Sequence, residues 1–271
     1  MKPKFPVEAL ALIIPARMGA QRLPRKPLAE IGGVPLIVKT AQQGQQFLKT
    51  LDPQRYTSQM TVATDHPEIF NACKDFHLPV VMTDRELPSG SDRVLQAAAQ
   101  LKEDTGFEAT LLLNLQGDEP FMPLSCLTQV IQIAEKNPDG DLFTAAKKCR
   151  ASKHQDILKD PNAVKVVTDS HGQALYFSRA PIPHSRDNDH DFDFLKHMGV
   201  YLWKRKALTQ FVQSGPSAIE QIEKLEQLRA MSLGQRIFVA IGEWDNLDIN
   251  TAADLRAAEN FQASEQDSEE C

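Results

Sequence analysis

Two hydrophobic rhythms alternate through the first half of the chain. Short, nearly unbroken apolar runs at 9–14, 60–63, 79–82, 111–115 and 142–146 have the length and the aliphatic content of buried strands. Between them, at 34–48, 67–76, 91–103 and 123–136, apolar residues return every three or four positions, as on one face of a helix. Strand and helix in alternation predict an α/β fold, a mostly parallel sheet with helices on both faces.

The rhythm changes near residue 150. Strand-like runs follow closely at 163–168, 174–178 and 198–203. The stretch 180–193, rich in Pro, His, Asp and Arg, is predicted to be a mobile loop. A helix is predicted over 217–233, with Ile219, Ile222, Leu225, Leu228 and Met231 as its buried stripe. A last strand at 237–241 precedes a closing helix, and the acidic tail 262–271 is expected to fray. There is no internal repeat and no long linker, so residues 1–271 read as one domain carrying an insertion.

Composition narrows the partners. With 271 residues and 42% hydrophobic content the chain can bury a large core. A net charge of −6 argues against a sequence-independent nucleic-acid binder, which needs a basic surface. No apolar run approaches the roughly 18–20 residues of a membrane span, and the first run stops at Pro15, too early for a signal peptide. Both observations point to the cytosol. Cys73, Cys126, Cys149 and Cys271 lack C-x-x-C spacing and read as reduced thiols.

Against this acidic background, cations crowd one loop. The first predicted strand runs into Pro15-Ala16-Arg17-Met18-Gly19-Ala20-Gln21-Arg22-Leu23-Pro24-Arg25-Lys26-Pro27, with Arg17, Arg22, Arg25 and Lys26 between three prolines. The carboxyl end of a strand in an open α/β sheet is where such sheets bind ligands. Clustered positive charge there suits a polyphosphate. The spacing is not that of a Walker-type P-loop, and no G-x-G-x-x-G follows the first strand as in a Rossmann dehydrogenase. A second strand, 111–115, runs into Gln116-Gly117-Asp118-Glu119-Pro120, which presents Asp118 at the same sheet edge. A bare carboxylate repels phosphate, whereas one holding Mg²⁺ through hard oxygen atoms bridges to it; a turn or cap role is the plainer reading of Asp118.

Other candidates carry weaker signals. Ser89-Gly90-Ser91-Asp92-Arg93 opens a helix, suiting either an anion or an ordinary N-cap. Arg179 follows a strand and offers a guanidinium to a carboxylate or to a surface salt bridge. Lys165 reads equally as a snorkelling edge residue or a phosphate contact. Glu223, Glu226, Gln227 and Arg229 lie off the apolar stripe, either on a solvated face or, for Glu226 and Gln227, towards a pocket. Asp248 is a possible second metal ligand, in a turn where Asn250 and Thr251 suit capping.

Taken together, Pro15-Ala16-Arg17, Arg22-Leu23-Pro24 with Lys26-Pro27-Leu28, Ala63-Thr64-Asp65, Ser89-Gly90, Gln116-Gly117-Asp118-Glu119-Pro120, Pro161-Asn162-Ala163-Val164-Lys165, Tyr176-Phe177-Ser178-Arg179-Ala180 and Leu225-Glu226-Gln227-Leu228-Arg229 resemble the bacterial CMP-Kdo synthetases, the 3-deoxy-manno-octulosonate cytidylyltransferases. The resemblance runs in order over about 9–258. It implies a Rossmann-like, doubly wound nucleotidyltransferase fold with a small dimerisation insertion around 160–205, and hence a homodimer. It implies transfer of CMP from CTP to the anomeric 2-hydroxyl of Kdo, with Mg²⁺ as cofactor and pyrophosphate released, for lipopolysaccharide synthesis. Arg17, Arg22 and Lys26 would hold the triphosphate and Asp118 the metal. Pro15, Ala16, Ala63, Thr64, Asp65, Ser89, Gly90, Ser91, Arg93 and Gln116 would complete the CTP site. Gln116, Arg179, His197, Tyr201, Glu226 and Gln227 would line the sugar acid. The late motif departs from the family pattern: counting back from Asp254-Leu255 puts Asn250 on the family's metal-ligand aspartate, with Asp248 two residues earlier. The alternatives are a different sugar acid, 8-amino-Kdo or sialic-acid-like, and a degenerate member that binds nucleotide without turnover.

Overall fold

The computed structural model describes residues 7–19, 23–187 and 191–269. They divide into two compact units, Met1–Met122 with Asn246–Cys271, and Pro123–Asp245.

The first unit begins with β1 (Glu8–Ala16), whose central residues Leu10, Ala11, Leu12, Ile13 and Ile14 are all fully buried. Such an unbroken run is what a strand covered on both faces requires. A tight hairpin follows, β2 (Glu30–Ile31) and β3 (Val34–Pro35), turning on Gly32 and Gly33, both at positive φ. That is the geometry of a two-residue turn matched to strand twist. Then come α1 (Leu36–Thr50), β4 (Tyr56–Thr64), α2 (Pro67–Asp75), β5 (Val80–Met82), α3 (Gly90–Thr105) and β6 (Leu111–Leu115). The strand order is β5-β4-β1-β6, every pair parallel. The chain winds outward from β1 through β4 to β5 and then returns to the other side of β1 as β6. This reversal makes the carboxyl ends of β1 and β6 the topological switch point, where α/β sheets open a crevice.

The second unit contains α4 (Leu124–Lys136), β7 (Leu142–Arg150), α5 (Gln155–Lys159), β8 (Lys165–Thr168), β9 (Ala174–Ser178), β10 (Asp193–Lys204), α6 (Arg205–Ser214), α7 (Ala218–Glu223), α8 (Gln227–Ser232) and β11 (Ile237–Gly242). Here β7 pairs β11 in parallel and β10 antiparallel, and β8 pairs antiparallel with both β10 and β9. Residues 180–187 are irregular, and 188–190 of the expected loop lie outside the described residues.

The single helix expected over 217–233 is instead two. Lys224 takes a left-handed backbone, φ 55°, and breaks it between α7 and α8. The stripe fails with it: Leu225 and Leu228 are buried, but Ile222 is 81% exposed. A helix turns every 3.6 residues, so apolar positions spaced strictly by three wind off any one face. Two helices, α5 and α6, and the β2–β3 hairpin also went unread, all of them short.

After residue 245 the chain rejoins the first unit, runs extended through 246–250 and closes with α9 (Ala252–Glu269), which continues past Gln262. Cys73, Cys126 and Cys149 are buried free thiols, and burial pushes the Cys73 thiol up to about 12. No helix among the described residues is long and apolar enough to cross a membrane.

Candidate active site

The switch point of the first unit gathers three segments. The first two are the loops after β1 and β6. Gly117 lies so close to the first loop that a Cβ there would meet the Pro15 carbonyl oxygen at 3.0 Å. Its own carbonyl accepts from the Thr40 hydroxyl on α1, 3.1 Å away. Glycine at this position therefore lets the Gln116–Pro120 turn press against the end of β1. The third segment is 246–250. The Ile249 N–H donates to the Asp118 carbonyl at 3.0 Å, and the Ile249 side chain is fully buried with Ile31, Leu36 and Ala258. Apolar burial of Ile249 thus fixes the residues on either side of it against Asp118.

The cationic loop and the acidic turn meet at Lys26. Its ammonium donates to Asp118 Oδ2 at 2.5 Å and to Asn250 Oδ1 at 3.3 Å. Lys26 is held in a short 3₁₀ turn, Lys26–Leu28, entered through Arg25 in a left-handed conformation, φ 58°. Arg25 pairs with Glu68 at the start of α2, tying the loop down from its outer side. Asn250 is held by the start of α9, where Asp254 Oδ2 accepts from the Asn250 and Thr251 N–H groups at 2.9 and 2.8 Å. The Thr251 hydroxyl accepts in return from the Asp254 N–H, a reciprocal cap readable as Thr-x-x-Asp. Asp248 accepts from the Asn246 side-chain amide. Of the two late candidates, Asn250 is the one sharing a cation with Asp118. Arg17 is exposed, and Arg22 lies outside the described residues.

Asp118 and Asn250 present one carboxylate and one amide oxygen to a single positive charge, the Lys26 ammonium. Hard oxygen donors of this kind suit Mg²⁺, which is commonly held by one or two protein carboxylates with water and phosphate completing the shell. Among the described residues no group of three or more His, Cys, Asp or Glu is arranged to hold a metal.

The remaining first-unit candidates split into two kinds. Ser89 is an N-cap, its hydroxyl donating to Asp92 at 2.5 Å and accepting from the Asp92 N–H. Arg93, 3% exposed, donates to Asp65 Oδ2 at 3.0 Å and to the Thr83 hydroxyl. Asp65 and Arg93 are therefore brought together, as a buried pair that ties α3 to the end of β4. Thr64 and Ala63 are buried at that strand end, Ser91 is buried, and Gly90 sits 3.9 Å, measured from an added Cβ, from the Pro15 ring. Gln116 donates to Asn114 at 3.2 Å.

In the second unit, Arg179 and Lys165 are committed to backbone. The Arg179 guanidinium donates to the carbonyls of Glu223 at 2.7 Å, Pro161 at 2.8 Å and Lys224 at 3.4 Å. Lys165 is fully buried and donates to the carbonyls of Asp160, Ala163 and Arg179 at 2.9, 2.6 and 2.8 Å. The snorkelling reading of Lys165 does not hold, since its ammonium does not reach solvent and is taken up by three backbone carbonyls. Burial pulls its pKa down. Glu223, expected on a solvated face, accepts from the Ser178 hydroxyl at 2.6 Å and the Arg179 N–H at 3.0 Å. These bonds brace the break at Lys224, directly before Glu226 and Gln227. Gln227 is 3% exposed. Arg229, also expected on a solvated face, is a buried partner of Glu220, with contacts of 2.8 and 2.5 Å, and stacks on Phe211.

His197 is buried on β10. Its Nε2 lies 2.9 Å from the Thr144 hydroxyl, which also reaches the Val200 carbonyl at 2.7 Å. With that hydroxyl donating to the carbonyl, the ring donates from Nε2 and stays neutral. The Phe177 and Tyr201 rings pack against it, at a bulge between Met198 and Tyr201. Burial, with a smaller contribution from Lys196, pulls the His197 pKa down to about 3. A depressed pKa contributes stability that is complete above the ordinary value of 6.5 and is lost as pH falls towards 3. In urea unfolding between pH 7 and pH 4, the native protein should therefore lose stability faster than His197→Gln, by up to roughly 1.4 kcal/mol per pH unit. Equal slopes would show that the folded protein accommodates the imidazolium.

Comparison with known proteins decides the family. The model of the cytidylyltransferase family matches residues 11–237. The chain belongs to the cytidylyltransferases. Among curated cytidylyltransferases, the 3-deoxy-manno-octulosonate cytidylyltransferase of Polynucleobacter asymbioticus is 39% identical over 239 residues, covering 88% of each chain. The 8-amino-3,8-dideoxy-manno-octulosonate cytidylyltransferase of Shewanella piezotolerans is also 39% identical, over 92% of this chain and 97% of that one. A solved CMP:2-keto-3-deoxy-manno-octonic acid synthetase complexed with CTP superposes with a TM-score of 0.83 at 32% identity, covering 95% of this cytidylyltransferase and 99% of that chain. The α/β nucleotidyltransferase fold expected from the sequence is thereby borne out. The sequence reading missed Glu220 and Thr144. The Ser217-x-x-Glu220 spacing announces a cap, but nothing local announces that Glu220 also neutralises Arg229.

Proposed function

We propose that this cytidylyltransferase joins CTP to 3-deoxy-D-manno-octulosonate. The anomeric 2-hydroxyl oxygen forms a bond to the α-phosphorus as the bond to the β-phosphate oxygen breaks. CMP-Kdo and pyrophosphate are the products, and the hydroxyl proton passes to solvent. The observation that carries this reading is the convergence of Lys26, Asp118 and Asn250 at the switch point of a family member. Phosphoryl-type transfer asks a protein mainly for positioning and charge neutralisation, and that is the chemistry these side chains offer.

In this reading Arg17, Arg22 and Lys26 neutralise the triphosphate, while Asp118 and Asn250 hold Mg²⁺. Bound there, the metal would offset phosphate charge and favour deprotonation of the attacking hydroxyl. The Asp65–Arg93 pair and the Ser89 cap fix the strand and helix ends proposed for the cytidine side. Gln227, buried at 3% exposure, is proposed as a sugar-acid contact, as are Glu226, Gln116, Tyr201 and His197. His197 acts there as a neutral group. Arg179 takes part as a brace for the Glu226–Gln227 turn in the form seen here. A cytosolic location is proposed, with CTP as the donor, and cell fractionation tests it. The segment 160–205 is proposed to pair two copies, Leu175 on β9 being 57% exposed; sedimentation distinguishes one chain from two.

The test is pyrophosphate release from CTP and Mg²⁺ across a panel of acceptors. Release is expected with Kdo and absent without an acceptor. Release with 8-amino-Kdo alone would transfer the assignment to the second relative's substrate, which equal identity to that relative already keeps in view. No release with any sugar acid, alongside tight CTP binding, would overturn the enzymatic reading.

A further inference from the structure

We infer that Lys26 is the resident counter-ion of the divalent-cation position, and that its ammonium must leave the Asp118 and Asn250 oxygens before a metal ion can take them. The inference rests on the reading of that position given above and adds a property to it: metal and nucleotide bind as a linked pair, with Lys26 as the exchanging part.

The geometry carries the argument. Two oxygens from distant parts of the sequence converge on one ammonium, at 2.5 and 3.3 Å. The pair is largely shielded, with Lys26 and Asp118 side chains 15% and 30% exposed, so the charges interact more strongly than on an open surface. A divalent ion on Asp118 Oδ2 and Asn250 Oδ1 would lie against the ammonium that now bonds both oxygens, and the two cations repel each other. Either the metal is excluded or the lysine swings away. A swinging lysine needs another anion, and the loop that carries it was singled out as a polyphosphate site. Nucleotide phosphates would draw the ammonium from Asp118 and so open the oxygens to the metal. Conversely, a metal on Asp118 would release the ammonium to the phosphates. By linkage each ligand must strengthen the other by the same factor.

The surrounding structure suits such an exchange. Arg25 and Glu68 anchor the loop one residue before Lys26, and the Leu28 and Ala29 N–H groups close the 3₁₀ turn on the Arg25 and Lys26 carbonyls. The backbone of Lys26 is thus fixed at both ends while its side chain has four rotatable bonds. Asp118 and Asn250 are held by backbone hydrogen bonds to Ile249 and Asp254, so the acceptor pair persists when the lysine departs. The exchange needs one side chain to move and no rearrangement of elements.

The experiment measures Mn²⁺ alone, without nucleotide, by the loss of its free-ion paramagnetic resonance signal. Native protein is expected to bind Mn²⁺ weakly. Lys26→Met, which keeps the aliphatic stem and removes the charge, should bind it at least roughly tenfold more tightly, within the usual range of coupling between sites. Lys26→Arg, which retains a cation, should show no such gain. Asp118→Asn added to Lys26→Met should abolish the gain. Unchanged Mn²⁺ affinity in Lys26→Met would overturn the inference, as would an equal gain in Lys26→Arg or a gain that survives Asp118→Asn. Circular dichroism and thermal melting establish that each variant is folded. Failure here leaves the proposed reaction standing if native protein still releases pyrophosphate from CTP with Kdo. Absence of that release, with the Mn²⁺ result as expected, would instead remove the reaction and keep the ion exchange.

Discussion

Asp118→Asn should lower the rate of pyrophosphate release by roughly 10³-fold or more, the scale on which removal of a single preorganised electrostatic group acts. Asn keeps the size and one carbonyl oxygen of the native side chain and removes the charge. Asn250 is already neutral, so the substitution would leave the site no carboxylate among the groups that meet Lys26. The backbone bond from Ile249 to the residue 118 carbonyl does not depend on the side chain, and the fold should persist. Circular dichroism and the melting temperature should therefore be nearly native while steady-state turnover with CTP, Mg²⁺ and Kdo is lost. Turnover within about tenfold of native would take Asp118 out of the mechanism, because a factor of ten is only about 1.4 kcal/mol.

The largest stability effect should come from the second unit. Glu220 and Arg229 form a doubly hydrogen-bonded ion pair, both side chains 9% exposed, and Arg229 also lies over the Phe211 ring at 4.3 Å. Removing one member of such a pair leaves an uncompensated buried charge and costs about 3–5 kcal/mol. Arg229→Met should therefore lower the urea midpoint strongly. Glu220 also caps α7 through Ser217, so Glu220→Gln should be destabilising as well. The double variant should be less destabilised than the sum of the two, since neither charge then remains. A loss below about 1 kcal/mol for Arg229→Met would show that water reaches the carboxylate and relieves it.

Much of the site was legible one stretch at a time. Arg17 to Lys26 reads as an anion site because four cations lie between prolines on an acidic chain, and Asp118 reads as a metal ligand because a buried strand delivers it through a glycine turn. What brings them together is the adjacency of β1 and β6, which no local pattern announces. Lys26 rather than its neighbour Arg25 reaches Asp118 because the left-handed turn at Arg25 aims that side chain at Glu68 instead. Asn250 rather than Asp248 shares the cation: Asp254 holds the Asn250 backbone at the start of α9, while Asp248 accepts from the Asn246 amide. Arg229 and Glu223 were read as solvated because charge on a helix usually is; Arg229 is buried against Glu220 on α7, and the half-buried Glu223 is held by Ser178 and Arg179.

By itself the sequence determined the alternation of strands and helices in the first half of the chain, its acidic charge and its family. These follow from backbone periodicity, composition and uninterrupted strings of residues, all of which are local. The tertiary structure decided which charges are partners, where the 217–233 segment breaks, and which of two neighbouring side chains faces the cation. Those outcomes depend on the competition of distant apolar groups for the same core, and a charged side chain settles with whichever opposite group that competition leaves within about 3 Å.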